Sequence, residues 1–198
     1  MDPLESLAVA VTVVAVVLTA RRSFWNFPFS LVSVGLYAVI FYRVRLYADA
    51  LLQCVFAATL VYGIVQWRGR RHLDGKVQVS RIDLRTMQLS TLAVLALTAS
   101  LGFVLDRETD ASLPWIDSGL LAASLVGSVW AARRLLEQWL LWCIVDVIYV
   151  GVYLYKALYP TALLYALFIG IALYGWRQWW RSWRTADASA GELARKSA

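Results

Sequence analysis

The chain has 198 residues, 61% hydrophobic and 16% charged, with a formal net charge of +6. Soluble domains are about 45–50% apolar, so a single water-soluble domain is excluded. The lone His72 stands in no Ser/His/Asp or Cys/His set and no Gly-rich phosphate loop occurs, so no enzyme, catalytic residue, cofactor or metal site is expected.

Seven apolar runs follow one another, at roughly 4–20, 26–42, 46–67, 87–105, 116–132, 137–155 and 160–179. A helix needs about 17–25 residues to cross a bilayer, so each run predicts a span. Run 1 is the marginal one, because Glu5 and Ser6 fall in its first turn. With Asp2 and Glu5 and no basic stretch, Met1–Leu7 does not read as a signal peptide. Run 2 opens on Asn26, either an N-cap or a ligand, with Pro28 in the first turn, where a missing N–H costs nothing. Run 3 carries Asp49, Gln53 and Phe56, and Asp49 either faces the interior or pairs with Arg43 or Arg45. A basic loop, 68–86, follows, in which His72 reads as solvated. Run 4 is a linker helix, ending in the acidic loop 106–110. Run 6 carries Trp139, Trp142, Asp146, Tyr149 and Tyr153, spaced 3, 4, 3 and 4, hence on one helical stripe. Glu137 at its start reads as facing headgroups or Arg133 and Arg134. A polar tail, 185–198, is expected to fray. Cys54 and Cys143, inside apolar runs, read as buried packing thiols.

Residues 21–67 recur without a gap as residues 133–179, with thirteen of 47 positions identical, among them Tyr62-Gly63-x-x-Gln66-Trp67 and Tyr174-Gly175-x-x-Gln178-Trp179. The two copies are spans 1–3 and 5–7. Span 4 between them leaves both inserted in the same sense, a 3+1+3 parallel repeat of the kind found in transporters. The domain boundaries that follow are 1–67 for the first repeat, 68–115 for the loops and linker helix, 116–184 for the second repeat and 185–198 for the tail. With the N-terminus out and the C-terminus in, fifteen Lys and Arg lie inside and four outside. That split obeys the positive-inside rule and accounts for the basic charge without nucleic acid. Trp67, Trp176, Trp179, Trp180 and Trp183 then form an interface belt on the inner side, and Trp115 lies on the outer side.

A carboxylate at mid-bilayer is costly and is kept with a partner or a wet cavity. Asp146 therefore reads either as bonded to a neighbouring helix on a packing face or as the anchor of an aromatic slot. Two Trp faces suit a flat cationic ring. The matching stripe on span 2 is Asn26, Ser30, Ser33, Tyr37 and Phe41, aligned with Gln138, Trp142, Val145, Tyr149 and Tyr153. Asp49, Gln53 and Phe56 align with Thr161, Tyr165 and Phe168. The scaffold is thus symmetric and its chemistry unsymmetric. A retinal-binding heptahelical protein would need a lysine in span 7, and Lys156 lies before it.

Phe24-Trp25-Asn26-Phe27-Pro28, Leu46-Tyr47-Ala48-Asp49, Tyr62-Gly63-x-x-Gln66-Trp67 and Glu137-x-Trp139-x-x-Trp142-x-x-x-Asp146, continued by Leu163-Leu164-Tyr165-Ala166 and Tyr174-Gly175-Trp176, resemble the Pnu-type vitamin transporters. The resemblance covers about residues 20–180. It implies an all-α integral membrane protein with seven spans as 3+1+3, a homotrimer, and a multi-pass location in the bacterial inner membrane. It also implies facilitated diffusion of nicotinamide riboside, trapped by a cytoplasmic kinase for NAD synthesis. On this resemblance Trp139 and Trp142 hold the nicotinamide ring and Asp146 a polar part of the ligand. Asp146 stands where some members have Asn. Thiamine or riboflavin transport by the same fold, proton-coupled transport through Asp146 or Asp49, and a non-transporting receptor or accessory subunit are the competing readings. Besides lipid, the expected partner is the small vitamin itself.

Overall fold

The computed structural model describes residues 3–43, 45, 47–68, 77–109 and 112–196, with backbone alone at 47–48 and 188–196. Leu46, residues 69–76 of the basic loop, His72 among them, and Asp110 of the acidic loop lie outside the described residues.

Among the described residues seven helices form: α1 (Pro3–Ala20), α2 (Asn26–Arg43), α3 (Tyr47–Arg68), α4 (Leu84–Glu108), α5 (Pro114–Ala132), α6 (Gln138–Tyr155) and α7 (Tyr159–Lys196). Six are long and apolar enough to cross a membrane, and the chain is an all-helical membrane protein. The helix that falls short is α2, where Asn26, Ser30, Ser33, Gly35 and Arg43 dilute an 18-residue segment. Run 1, expected to be marginal, qualifies as α1. In the polar tail α7 continues as helix to Lys196, through a stretch with four alanines, the best helix former. Asp83 caps α4 by accepting from Thr86 N at 3.2 Å, and hydrogen bonding from the Thr86 side chain, with this backbone bond as a lesser cause, holds its carboxyl below the usual range.

α1 packs on α2, α2 on α3, α3 on α5, α5 on α6, α6 on α7, and α7 back on α1, so six helices close a ring. Among the described residues α4 touches α5 alone, outside the ring. α1 thus faces α5 across the ring, α2 faces α6, and α3 faces α7. The joints between helices recur at the same spacing as the sequence. Arg22 and Arg134 end α1 and α5 at φ 58° and 63°, and Arg45 and Ala157 follow α2 and α6 at φ 62° and 56°. After α1 and α5 the chain closes in the same pattern: Ser23 N donates to Leu18 O and Leu135 N to Trp130 O, each reaching back five residues. This is a left-handed helix stop of the Schellman kind, usually a glycine's position.

The end of the ring where α1, α3 and α5 stop and α2 and α6 begin carries Arg21, Arg22, Arg68, Arg133 and Arg134; it is called the arginine-rich end below. Its core is Phe27, Trp67, Leu136, Trp139 and Trp179 with Ala20 and Ala172, all buried. Trp67 and Trp179 therefore do not belong to an interface belt. They are 2% and 0% exposed, and each indole N–H is satisfied by a backbone carbonyl inside the protein. Trp176, Trp180 and Trp183 are partly buried against the same cluster. Val77 and Val79, from the end of the basic loop, are buried in it too. Ser80 then pairs with Leu135 in one parallel β-bridge, Ser80 N donating to Arg134 O and Leu136 N to Ser80 O. Cys54 is exposed on the outer face of α3 and Cys143 half-buried, so the first is no buried packing thiol.

Candidate functional site

The ring encloses a cavity of about 510 Å³, lined by all six ring helices and by none of α4. That is the size range of small-molecule sites. Nine of the eleven residues singled out in the sequence line it: Asn26, Asp49, Gln53, Gln138, Trp139, Trp142, Asp146, Tyr149 and Tyr165. The other two stand behind its wall. Tyr37 stacks on Phe41 at 5.9 Å, and Tyr153 stacks on Tyr149 at 5.8 Å while lying 5.2 Å from Tyr165. Tyr149 and Tyr165, 4.6 Å apart, bring that aromatic group to the cavity surface.

The spacing of α6 explains why its chemistry converges. Trp139, Trp142, Asp146 and Tyr149 fall on one stripe and that stripe faces inward. Asp146 is 6% exposed, and what it exposes faces the cavity. Among the described residues no Lys or Arg lies within 4 Å of it. Trp142 is half-buried, one edge seated on Gly127, where an added Cβ would stand 3.2 Å from its ring. Trp139 is different. Its ring is 2% exposed, meets Trp179 edge-on at 5.7 Å, and forms the cavity floor together with Phe27 and Trp67.

Two donors on this floor are unspent. Gln138 Nε2 and Trp139 Nε1 are buried with no hydrogen-bond partner among the described residues. Buried polar groups are normally paired, so both are suited to an acceptor in the cavity. Asn26, the counterpart of Gln138 across the ring, does not act as an N-cap acceptor. Its Nδ2 donates to Ser23 O at 2.7 Å, tying the start of α2 to the preceding turn.

Facing α6, the α1–α2 wall is hydroxylic: Thr12, Thr19, Ser30 and Ser33 line it, with Thr12 and Ser33 oxygens 2.6 Å apart. Ser124 and Ser128 from α5 and Thr59 from α3 add to the lining. Spans 1 and 5 contributed nothing to the residues expected from sequence. A signal was present, since Thr12 and Ser124 stand at the repeat spacing in otherwise apolar runs. Asp49 is exposed at the cavity edge, with no ion pair to Arg43 or Arg45 among the described residues. Glu137 faces neither headgroups nor Arg133 and Arg134: it pairs with Arg81 and accepts from Ile82 N at 2.9 Å.

The arrangement can hold a flat, cation-bearing ring against Trp142 beside Asp146, offer donors from the floor, and meet hydroxyls with the serine and threonine wall. The chain is similar to known transporters over nearly its whole length. The nicotinamide riboside transporter PnuC of Escherichia coli (strain K12) is 27% identical over 212 residues, which cover 94% of this chain and 89% of that protein. The riboflavin/roseoflavin transporter RibM of Streptomyces davaonensis is 28% identical over 163 residues, 81% of this chain and 76% of that protein. The crystal structure of the vitamin B3 transporter PnuC superposes with a TM-score of 0.74 at 24% identity, covering 92% of this chain and 82% of that one, and so shares the fold. The model of the nicotinamide mononucleotide transporter family matches residues 2–181. With that match over most of its length, the chain belongs to the nicotinamide mononucleotide transporter family.

Proposed function

We propose that this membrane transporter, which is not an enzyme, carries nicotinamide riboside into the cell by facilitated diffusion. The observation that carries the reading is Asp146: a carboxylate in the cavity wall, mid-helix, beside the open side of Trp142 and without a cation among the described residues. An ionised acid inside a membrane costs about 2.5–3.5 kcal/mol, and a permanently cationic pyridinium would offset that cost on binding. The carboxamide carbonyl would accept from Gln138 or Trp139, and ribose hydroxyls would meet Ser30 and Ser33. On this reading net import would depend on phosphorylation of the riboside by a cytoplasmic kinase.

Orientation belongs to the same reading. The fifteen-to-four charge split places the arginine-rich end in the cytoplasm, with the N-terminus out and the C-terminus in. The matched ring contacts and paired helix stops support two parallel three-helix copies joined by α4. The exposed apolar face of α4, Leu89, Leu92 and Leu95 among it, is open to lipid or to the neighbouring copies of a trimer in a bacterial inner membrane.

Riboflavin is the second reading, favoured by the RibM relative. Its ring is neutral and needs no acid. A binding titration of purified protein with the riboside, thiamine and riboflavin decides among them. Tightest binding of the riboside supports the proposal, and tightest binding of riboflavin replaces it.

A further inference from the structure

The segment Val77–Asp83 lies across the arginine-rich end of the ring and is fastened there from both halves of the protein. From the first half, an Arg22 guanidinium nitrogen donates to Val77 O at 3.2 Å. From the second half, the corresponding nitrogen of Arg134 donates to Gln78 O at 3.3 Å. These arginines occupy the same position in the two sequence copies, and both hold the left-handed backbone of a helix stop. Arginine accepts that conformation at a cost of about 1–2 kcal/mol that glycine would avoid, so the guanidinium is what the position retains.

Further along, the backbone of Ser80 is bridged to Leu135. Arg81 then pairs with Glu137 and lies over the rings of Trp180 and Trp183, 5.5 and 5.1 Å from their centroids. Val77 and Val79, 1% and 6% exposed, bury their side chains against the aromatic floor formed by Phe27, Trp67 and Trp139. Neither valine lines the cavity, whereas all three aromatic residues do. The cavity, the aromatic floor and the two valines are thus successive layers on the way out of the ring.

We propose that Val77–Asp83 is a strap that locks the aromatic floor shut, and that release of solute at the arginine-rich end requires the strap to detach. For Phe27, Trp67 and Trp139 to part, the helix ends of both halves must separate at this end. Arg22 and Arg134 hold one strand of backbone from opposite sides and so tie those ends together. The strap has no counterpart in the sequence repeat, because it lies between the copies. It therefore sets this end of a symmetric ring apart, because among the described residues one backbone segment is fastened across it from both halves. The polar anchors suit a reversible lock, since each can exchange its partner for water.

The proposal rests on the transport reading, and two experiments separate the two. In a background with Cys54 and Cys143 replaced, Ser80→Cys with Leu135→Cys places a thiol pair on the β-bridge. Oxidation should lower uptake of labelled nicotinamide riboside into proteoliposomes at least tenfold relative to the same protein reduced, and reductant should restore it. Equal uptake by oxidised and reduced protein, with the disulfide verified by mass, would overturn the strap. If the reduced protein binds and moves none of the riboside, thiamine or riboflavin, the transport reading has failed instead.

The second experiment needs no substrate. A cavity cysteine, Ser128→Cys, is labelled from the arginine-rich side with a membrane-impermeant maleimide, with and without Arg81→Ala and Glu137→Gln. Loosening the strap should speed labelling at least fivefold. An unchanged rate in a folded, monodisperse variant would overturn the proposal whether or not the disulfide forms.

Discussion

Trp67 and Trp179 meet at the centre of the arginine-rich end with ring centroids 6.1 Å apart, and each donates its indole N–H to the last turn of the helix at the seam between the two halves. Trp67 reaches Ala131 O of α5, and Trp179 reaches Thr19 O of α1, both at 3.2 Å. Acceptors and donors alike are separated by the repeat spacing. Each carbonyl also accepts a backbone N–H at the helix stop, Arg134 N to Ala131 O and Arg22 N to Thr19 O, so the indoles add a second donor at the ends of α5 and α1 while joining the halves.

Trp67→Phe and Trp179→Phe should each cost about 0.5–1.5 kcal/mol for the lost hydrogen bond, with the lost packing of a buried ring added to it. The losses should be similar in size. Thermal unfolding in detergent checks this, with half-exposed Trp115→Phe as the control expected to sit near wild type. A marked inequality between Trp67 and Trp179 would mean that the two seams are not equivalent.

Two glycines in register make room for the floor. A Cβ on Gly63 would stand 2.8 Å from the Phe27 ring, and one on Gly175 would stand 2.6 Å from the Trp139 ring. Gly175→Ala should displace Trp139, costing about 1–3 kcal/mol of stability from overpacking and weakening riboside binding. Gly151→Ala and Gly170→Ala, which meet nothing within 4 Å, should not destabilise. Calorimetry and a binding titration on the three variants test the contrast.

Trp142 is the stacking face that remains open, since Trp139 is enclosed by the floor. Trp142→Ala should lower riboside affinity roughly thirtyfold, the equivalent of about 2 kcal/mol for a desolvated cation–π contact. Trp142→Phe should lose less. Normal binding by the alanine variant would make this face one of packing only.

Much of this site was legible because α6 concentrates it. Large aromatic residues and an acid at 3-4 spacing in an apolar run stand out, and Trp142, Asp146 and Tyr149 do share the cavity. The hydroxyl wall was legible only on span 2, where Ser30 and Ser33 stand on the stripe matching that of span 6. Thr12 and Ser124 are single small polar residues, and a helix can satisfy such a hydroxyl on its own backbone, as these two do with Ala8 O and Leu120 O. Composition therefore cannot distinguish lining from tolerance. The Trp belt misled for Trp67 and Trp179 because position near a span end is also position near the partner half. Val77 and Val79 alternate with polar neighbours over too short a stretch to predict burial, and the burial depends on α6 and α7, far along the chain.

Topology has its own test. Cysteines placed at Gly75 and at Thr109 should react from opposite sides of sealed spheroplasts, Thr109 from outside. Labelling of both from one side would contradict the seven-span arrangement with the N-terminus out.

The most direct measurement is uptake of labelled nicotinamide riboside into proteoliposomes that contain no kinase, with and without an imposed pH gradient. Facilitated diffusion predicts that internal riboside rises to the external concentration and stops there under both conditions. Asp146→Asn, which keeps an acceptor and the shape but loses the charge, should slow that equilibration without abolishing it. Accumulation above the external concentration under the gradient, lost in Asp146→Asn, would contradict the account and make Asp146 a proton carrier.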